Sequence, residues 1–153
     1  MMHGVGKYLY PNGACYNGEW KHDKRSGKGE FTMLDGYRYL GEYRGDVKYG
    51  YGVEEYAEGG PVARYDGQFK NDQRHGKGLL VFSNGDEYEG YFVNGAREGL
   101  GEMRITASGE KWFGTWKQGQ KNGQGTKTYA DGRTVKGTWV EGKRLREKSI
   151  GGL

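Results

Sequence analysis

The chain has a single cysteine, Cys15, and only two prolines in 153 residues. One thiol excludes an intramolecular disulfide and a cysteine-based zinc site, and it fits a reducing compartment. Long apolar runs are absent too. Nothing approaches the roughly 18 residues of a membrane-spanning helix. No N-glycosylation sequon, secretory signal, myristoylation glycine or prenylation cysteine appears. Apolar residues make up only 33% of the chain. That content alone predicts disorder, because so little burial does not offset chain entropy. The simplest expectation for location is cytoplasmic.

What is abundant argues against disorder. The chain holds 31 glycines together with 13 Tyr, 4 Trp and 5 Phe. A flexible linker would not carry so many rings. Charge is uneven as well. Residues 110–153 contain 10 Lys/Arg against 4 Asp/Glu, a net of +6, whereas residues 1–109 contain 14 against 16, a net of −2.

The rings and glycines recur with a period. Tyr16-Asn-Gly-Glu-Trp20 returns as Tyr39-Leu-Gly-Glu-Tyr43, Tyr65-Asp-Gly-Gln-Phe69, Tyr88-Glu-Gly-Tyr-Phe92, Trp112-Phe-Gly-Thr-Trp116 and Val135-Lys-Gly-Thr-Trp139, at spacings of 23, 26, 23, 24 and 23 residues. Seven residues after the fifth position of each of the first five stands a Gly-x-Gly, from Gly27/Gly29 to Gly123/Gly125; after the sixth, Arg146 and Lys148 stand there instead. Gly4/Gly6 is the same element of a leading half repeat. Each unit reads as a β-hairpin. The aromatic–x–Gly–x–aromatic alternation puts both rings and the glycine on one face. Asp23, Asp46, Asp72, Gly95, Gly119 and Gly142 mark one turn, where left-handed backbone is tolerated. Asn12-Gly13, Asp35-Gly36, Glu58-Gly59, Asn84-Gly85, Ser108-Gly109 and Asp131-Gly132 mark the other. The second strand is expected to begin at Gly-x-Gly. Three glycines per repeat are expected on the aromatic face, leaving slots for rings of neighbouring hairpins. The longer loop at Glu58–Val62 is expected to bulge outward and leave the register intact.

This pattern of Tyr-x-Gly-x-Trp, polar turn, Gly-x-Gly and Asp-Gly resembles the MORN (membrane occupation and recognition nexus) repeat over about residues 4–145. The resemblance implies an all-β fold: an elongated, single-layer antiparallel sheet of consecutive β-hairpins with a groove. Five complete repeats start at Tyr16, Tyr39, Tyr65, Tyr88 and Trp112. Half repeats flank them within an array spanning 1–145, and residues 146–153 form a C-terminal tail or cap. The resemblance also implies scaffold roles in cilia and flagella, cytoskeletal assemblies and membrane junctions. Val135, Glu54 and Lys127 depart from it: Val135 replaces a leading ring, and the other two place charge where an inward apolar residue is common.

Catalytic sets are not evident. His3 and His75 sit at a repeat-defined position before Gly-x-Gly, metal spacing is lacking, and the Gly-x-Gly units lack the strand–loop–helix context of a phosphate cradle. The expectation is a non-enzyme with no cofactor. Function is sought instead where the pattern breaks. Leu40, Tyr51, Val53, Leu79, Val81, Tyr91, Leu100 and Phe113 are apolar on the otherwise polar outward face, and they are candidates for binding a protein. The groove beside Gly41, Gly67 and Gly90 is a candidate for a peptide or helix. Lys111, Lys117, Lys121, Lys127, Arg133, Lys136, Lys143, Arg144, Arg146 and Lys148 form a basic end that suits anionic phospholipids such as phosphoinositides. Pairing of two copies through the open end strands is a further expectation. Nucleic acid is disfavoured, since an RNA-recognition motif is lacking.

Overall fold

A computed structural model describes residues 1–145. They form thirteen strands in one sheet, each hydrogen-bonded antiparallel to the next in chain order. The strands are β1 (Gly4–Leu9), β2 (Cys15–Lys21), β3 (Lys24–Thr32), β4 (Arg38–Arg44), β5 (Val47–Glu55), β6 (Val62–Lys70), β7 (Gln73–Phe82), β8 (Glu87–Val93), β9 (Ala96–Ile105), β10 (Glu110–Lys117), β11 (Gln120–Thr128), β12 (Thr134–Val140) and β13 (Lys143–Arg144). No helix is present among the described residues, so none is long and apolar enough to cross a membrane. At about 4.8 Å per strand the ladder advances about 10 Å per repeat.

Two turn types alternate along it. Within a repeat, two residues connect the strands, and both have positive φ: His22/Asp23, Gly45/Asp46, Asn71/Asp72, Asn94/Gly95, Gln118/Gly119 and Glu141/Gly142. This backbone twist matches the twist of the flanking strands. Between repeats, a side-chain oxygen of Asn12, Asp35, Asn84, Ser108 or Asp131 accepts the N–H two residues on. That bond shapes the turn locally, as short polar side chains do.

The second strands begin three residues before Gly-x-Gly, directly after the two-residue turn, not at the motif itself. Gly-x-Gly is an interruption inside the strand. Gly18 pairs with Gly29 but Trp20 with Arg25, so one residue of β2, Glu19, opposes three of β3, Ser26 to Lys28. The same shift recurs in each repeat. The two glycines of the motif therefore serve different ends. The first takes up the bulge with positive φ, as at Gly27 (62°) and Gly99 (75°). The second lies in a row of glycines paired from strand to strand: Gly6, Gly18, Gly29, Gly41, Gly52, Gly67, Gly78, Gly90, Gly101, Gly114, Gly125 and Gly137. Two glycines per repeat, not three, lie under the rings. A Cβ on Gly101 would come 2.5 Å from the Tyr88 ring.

The rings over that row make the core. Trp20, Tyr16, Tyr43, Tyr39, Phe69, Tyr65, Phe92, Tyr88, Trp116, Trp112 and Trp139 form an unbroken chain. Centroids lie 5.0–5.3 Å apart and every contact is edge-to-face. Such contacts contribute about 0.5–1.5 kcal/mol each beyond burial. Tyr16, Tyr39, Tyr65 and Tyr88 are fully buried. Each donates its hydroxyl to the carbonyl three residues on, at 2.7–2.9 Å. A sparse apolar content suffices because it is concentrated here.

The longer loop is only partly expelled. Register shifts once between Val62 and Arg64, absorbing Ala63 within β6, while the glycine row stays in step. Val135 pairs with Lys127, so β12 is complete despite its missing ring.

Candidate binding surfaces

The aromatic face carries a feature that the motif-by-motif reading missed. Two residues before the Gly-x-Gly of each complete repeat stands a cation, Arg25, Lys48, Arg74, Arg97 and Lys121, and Arg144 holds the equivalent position in the trailing half repeat. The first five lie over rings. Arg25 is 5.0 Å from the Tyr43 centroid, Lys48 5.2 Å from Tyr39, Arg74 5.3 Å from Tyr65, Arg97 4.8 Å from Trp116 and Lys121 5.2 Å from Trp112. Cation–π attraction and burial of the side-chain stems hold them there. The signal was present in the sequence as strict periodicity.

The turns join this row along the ladder. The second turn residue of one repeat donates its N–H to the carbonyl of the preceding repeat's cation: Asp46 to Arg25, Asp72 to Lys48, Gly95 to Arg74, Gly119 to Arg97 and Gly142 to Lys121. Where that residue is aspartate, its carboxylate returns the bond. Asp46 accepts the Arg25 N–H at 3.0 Å and its Nε at 2.9 Å, and Asp72 accepts the Lys48 N–H at 2.8 Å. Burial opposes ionisation of Asp46, yet the Arg25 backbone N–H and guanidinium hold its carboxyl below the usual range. Gly95, Gly119 and Gly142 offer no carboxylate.

The departure at Glu54 has a local explanation. Glu54 is 5% exposed and ion-paired to Lys48 at 2.8 Å. It also accepts the hydroxyls of Tyr37 and Tyr56. Burial pushes its pKa up, but Lys48 and these hydrogen bonds outweigh that and lower it. Lys127 occupies the same repeat position in the fifth repeat, where it pairs with Glu110 at 3.3 Å and is 35% exposed.

Opposite the rings, the glycine row lies at the floor of shallow hollows. Lys28, Leu40, Glu42, Tyr51 and Val53 surround one, over Gly29 and Gly41. Tyr51, Asp66, Gln68, Lys77, Leu79 and Glu89 surround the next, over Gly67 and Gly78. The structure thus brings together Leu40, Val53, Tyr51 and Leu79, with Leu40 and Val53 a direct cross-strand pair. Tyr51 donates its hydroxyl to Asp66. Val81 pairs with Arg64 and Glu87, and Phe113 with Glu102 and Thr126, away from that group. Tyr91 and Leu100 are exposed further along, at the bulge of the fourth repeat.

The basic end does not form one surface. Lys121, Lys127 and Arg144 are on the aromatic face, the last opposite Trp139. Lys111, Lys117 and Lys136 alternate with inward residues and are exposed on the other. Arg133 pairs with Asp131 beside the Tyr129 ring, and Lys143 follows a turn. Arg146 and Lys148, with the tail or cap 146–153, lie outside the described residues. His3 and His22 stack loosely, 5.7 Å apart. Among the described residues no group of three or more His, Cys, Asp or Glu could hold a metal ion.

An open ladder of hairpins, with one face closed by its own rings and the other presented to solvent, defines a repeat-type binding module. The MORN repeat profile matches residues 1–15, 16–36, 39–60, 65–87, 88–106 and 112–132, and the chain belongs to that family. MORN repeats are binding modules for proteins or membranes, not an enzyme family.

Proposed function

We propose that the chain is a non-catalytic scaffold holding a protein partner in a cytoskeletal, ciliary or membrane-associated assembly. One observation carries this reading. Tyr51 and Leu40, 54% and 46% exposed, flank adjoining hollows on the face opposite the ring core. Apolar groups grouped on an otherwise polar face are typical of interaction sites. Proximity labelling in the source cell supplies the partner. Replacing Leu40, Tyr51 and Leu79 with Ser should then abolish its binding while the circular dichroism spectrum stays unchanged. Full binding by this folded variant would refute the assignment.

A peripheral adaptor reading anionic phospholipids is the second reading, favoured by the net +6 of residues 110–153. It ranks lower because those cations divide between two faces. Flotation with vesicles that contain or lack anionic lipid decides it; equal flotation removes it.

A further inference from the structure

The cation row changes character along the ladder. Arg25 and Lys48 are neutralised by Asp46 and Glu54. Among the described residues, Arg74, Arg97 and Lys121 have no carboxylate within ion-pair distance, because the turn residues facing them are Gly95, Gly119 and Gly142. Their remaining polar contacts are neutral: Arg74 donates to the Tyr56 hydroxyl at 2.8 Å and Arg97 to the Gly119 carbonyl at 2.7 Å. All three are half-buried among rings. Burial lowers the pKa of Arg97, and burial with repulsion from Lys127 and Arg97 lowers that of Lys121. Desolvated cations of one sign in a line are costly unless an anion joins them.

We infer that the aromatic face of repeats three to five docks an acidic peptide in the polyproline II conformation, its carboxylates taken up by Arg74, Arg97 and Lys121. Spacing selects this occupant. The cations stand one per repeat, on alternate strands, about 10 Å apart. A polyproline II chain rises about 3.1 Å per residue with three residues per turn. Every third side chain therefore returns to the same side about 9 Å on. A β-strand would turn every third residue away. This conformer is also preformed and loses little entropy on binding. A bilayer fits less well. The protruding lysines of this end, Lys111, Lys117 and Lys136, face the other way. The inference deepens the binding-module reading but uses the opposite face, so the two fail separately.

The test uses a labelled peptide of four Glu-Pro-Pro triplets, followed by fluorescence anisotropy. A control peptide has the same composition with its glutamates contiguous. The triplet peptide should bind more tightly, and less so as salt rises. Arg97→Gln with Lys121→Gln should weaken it at least about tenfold. Gly95→Asp with Gly119→Asp should do the same with every cation retained, by restoring the neutralising carboxylates of the first repeats. Both glycines accept the change: their φ values of 86° and 82° are near the 77° of Asp46, and an added Cβ meets nothing closer than the Arg97 guanidinium at 3.9 Å. Leu40→Ser with Tyr51→Ser should leave peptide binding intact. The inference is overturned if the contiguous peptide binds equally, if the aspartate variant keeps full affinity while folded, or if phosphatidylserine vesicles, but not the peptide, respond to the Arg97/Lys121 variant.

Discussion

Repeats one and two carry Arg25 and Lys48 over their rings, with Asp46, Asp72 and Glu54 closing on them. Repeats three to five carry Arg74, Arg97 and Lys121 over similar rings, with Gly95, Gly119 and Gly142 at the turns. The glycine row, the bulge and the edge-to-face chain are common to both regions. The N-terminal region also has a second line of rings, Tyr8, Tyr10, Phe31, Tyr37 and Tyr56, in edge contact. The difference teaches that ring-over-glycine packing is enough to hold the ladder. The turn carboxylates are additional, and where they are missing the cation row is left to interact with something else.

Alkali should separate the regions most. Burial raises the pKa of Tyr16 to about 12 and also raises those of Tyr39 and Tyr43. In repeats three to five the core tyrosines are Tyr65, also raised, and Tyr88, raised to about 12. The folded state keeps these protons while the unfolded chain releases them near pH 10. Stability is therefore full below that pH and falls as pH rises toward the folded values, by about 1.4 kcal/mol per pH unit for each such group. Tyrosinate absorbance should rise together with loss of structure. Fluorescence of a Trp20→Phe variant, which reports only the C-terminal tryptophans, should lag behind; a coincident loss would break the comparison.

The common skeleton has its own test. Gly41→Val and Gly90→Val each drive a side chain into the facing glycine, whose Cα would be 2.5 Å from the new Cβ. Each should cost on the order of 3–5 kcal/mol, from overpacking plus loss of ring burial. Denaturant titration should show similar losses in both.

Glu54→Ala leaves Lys48 and two tyrosine hydroxyls without their acceptor inside the face. It should cost about 3–5 kcal/mol. Lys127→Ala, at the equivalent position, breaks only a half-exposed pair and should cost less than about 1 kcal/mol. Equal losses in thermal unfolding would contradict the distinction.

Asp46→Gly replaces the turn aspartate of the first region by the glycine found at Gly95, Gly119 and Gly142. It should cost about 1–2 kcal/mol. The wild-type contribution is present above the ordinary aspartate pKa and is lost as pH falls through the lowered folded value. The stability difference between Asp46→Gly and wild type should therefore vanish in acid. A double-mutant cycle with Arg25→Gln isolates the pair.

Much of this was legible before folding. Period-two rings, turn pairs and register-keeping glycines left a trace at every repeat, because each hairpin solves the same packing problem. The start of the second strands was misplaced because a glycine that takes up a bulge inside a strand reads in the sequence like a strand start; the unequal count between Gly18–Trp20 and Arg25–Gly29 tells them apart. The cation row was visible as spacing, yet only Lys121 and Arg144 of it were singled out, as members of the basic end. Lys121 and Lys111 looked alike in a tally of basic residues, although they lie on opposite faces.

The sequence by itself determined the hairpin unit, its period and the sheet's antiparallel order, since these rest on neighbours close along the chain. Tertiary structure alone decided which charges meet. Arg25 finds Asp46 twenty-one residues away, while Arg97 faces Gly119 twenty-two residues away. Whether a cation is neutralised depends on the turn of the next repeat, and stacking one hairpin against another is what brings that turn within hydrogen-bond reach.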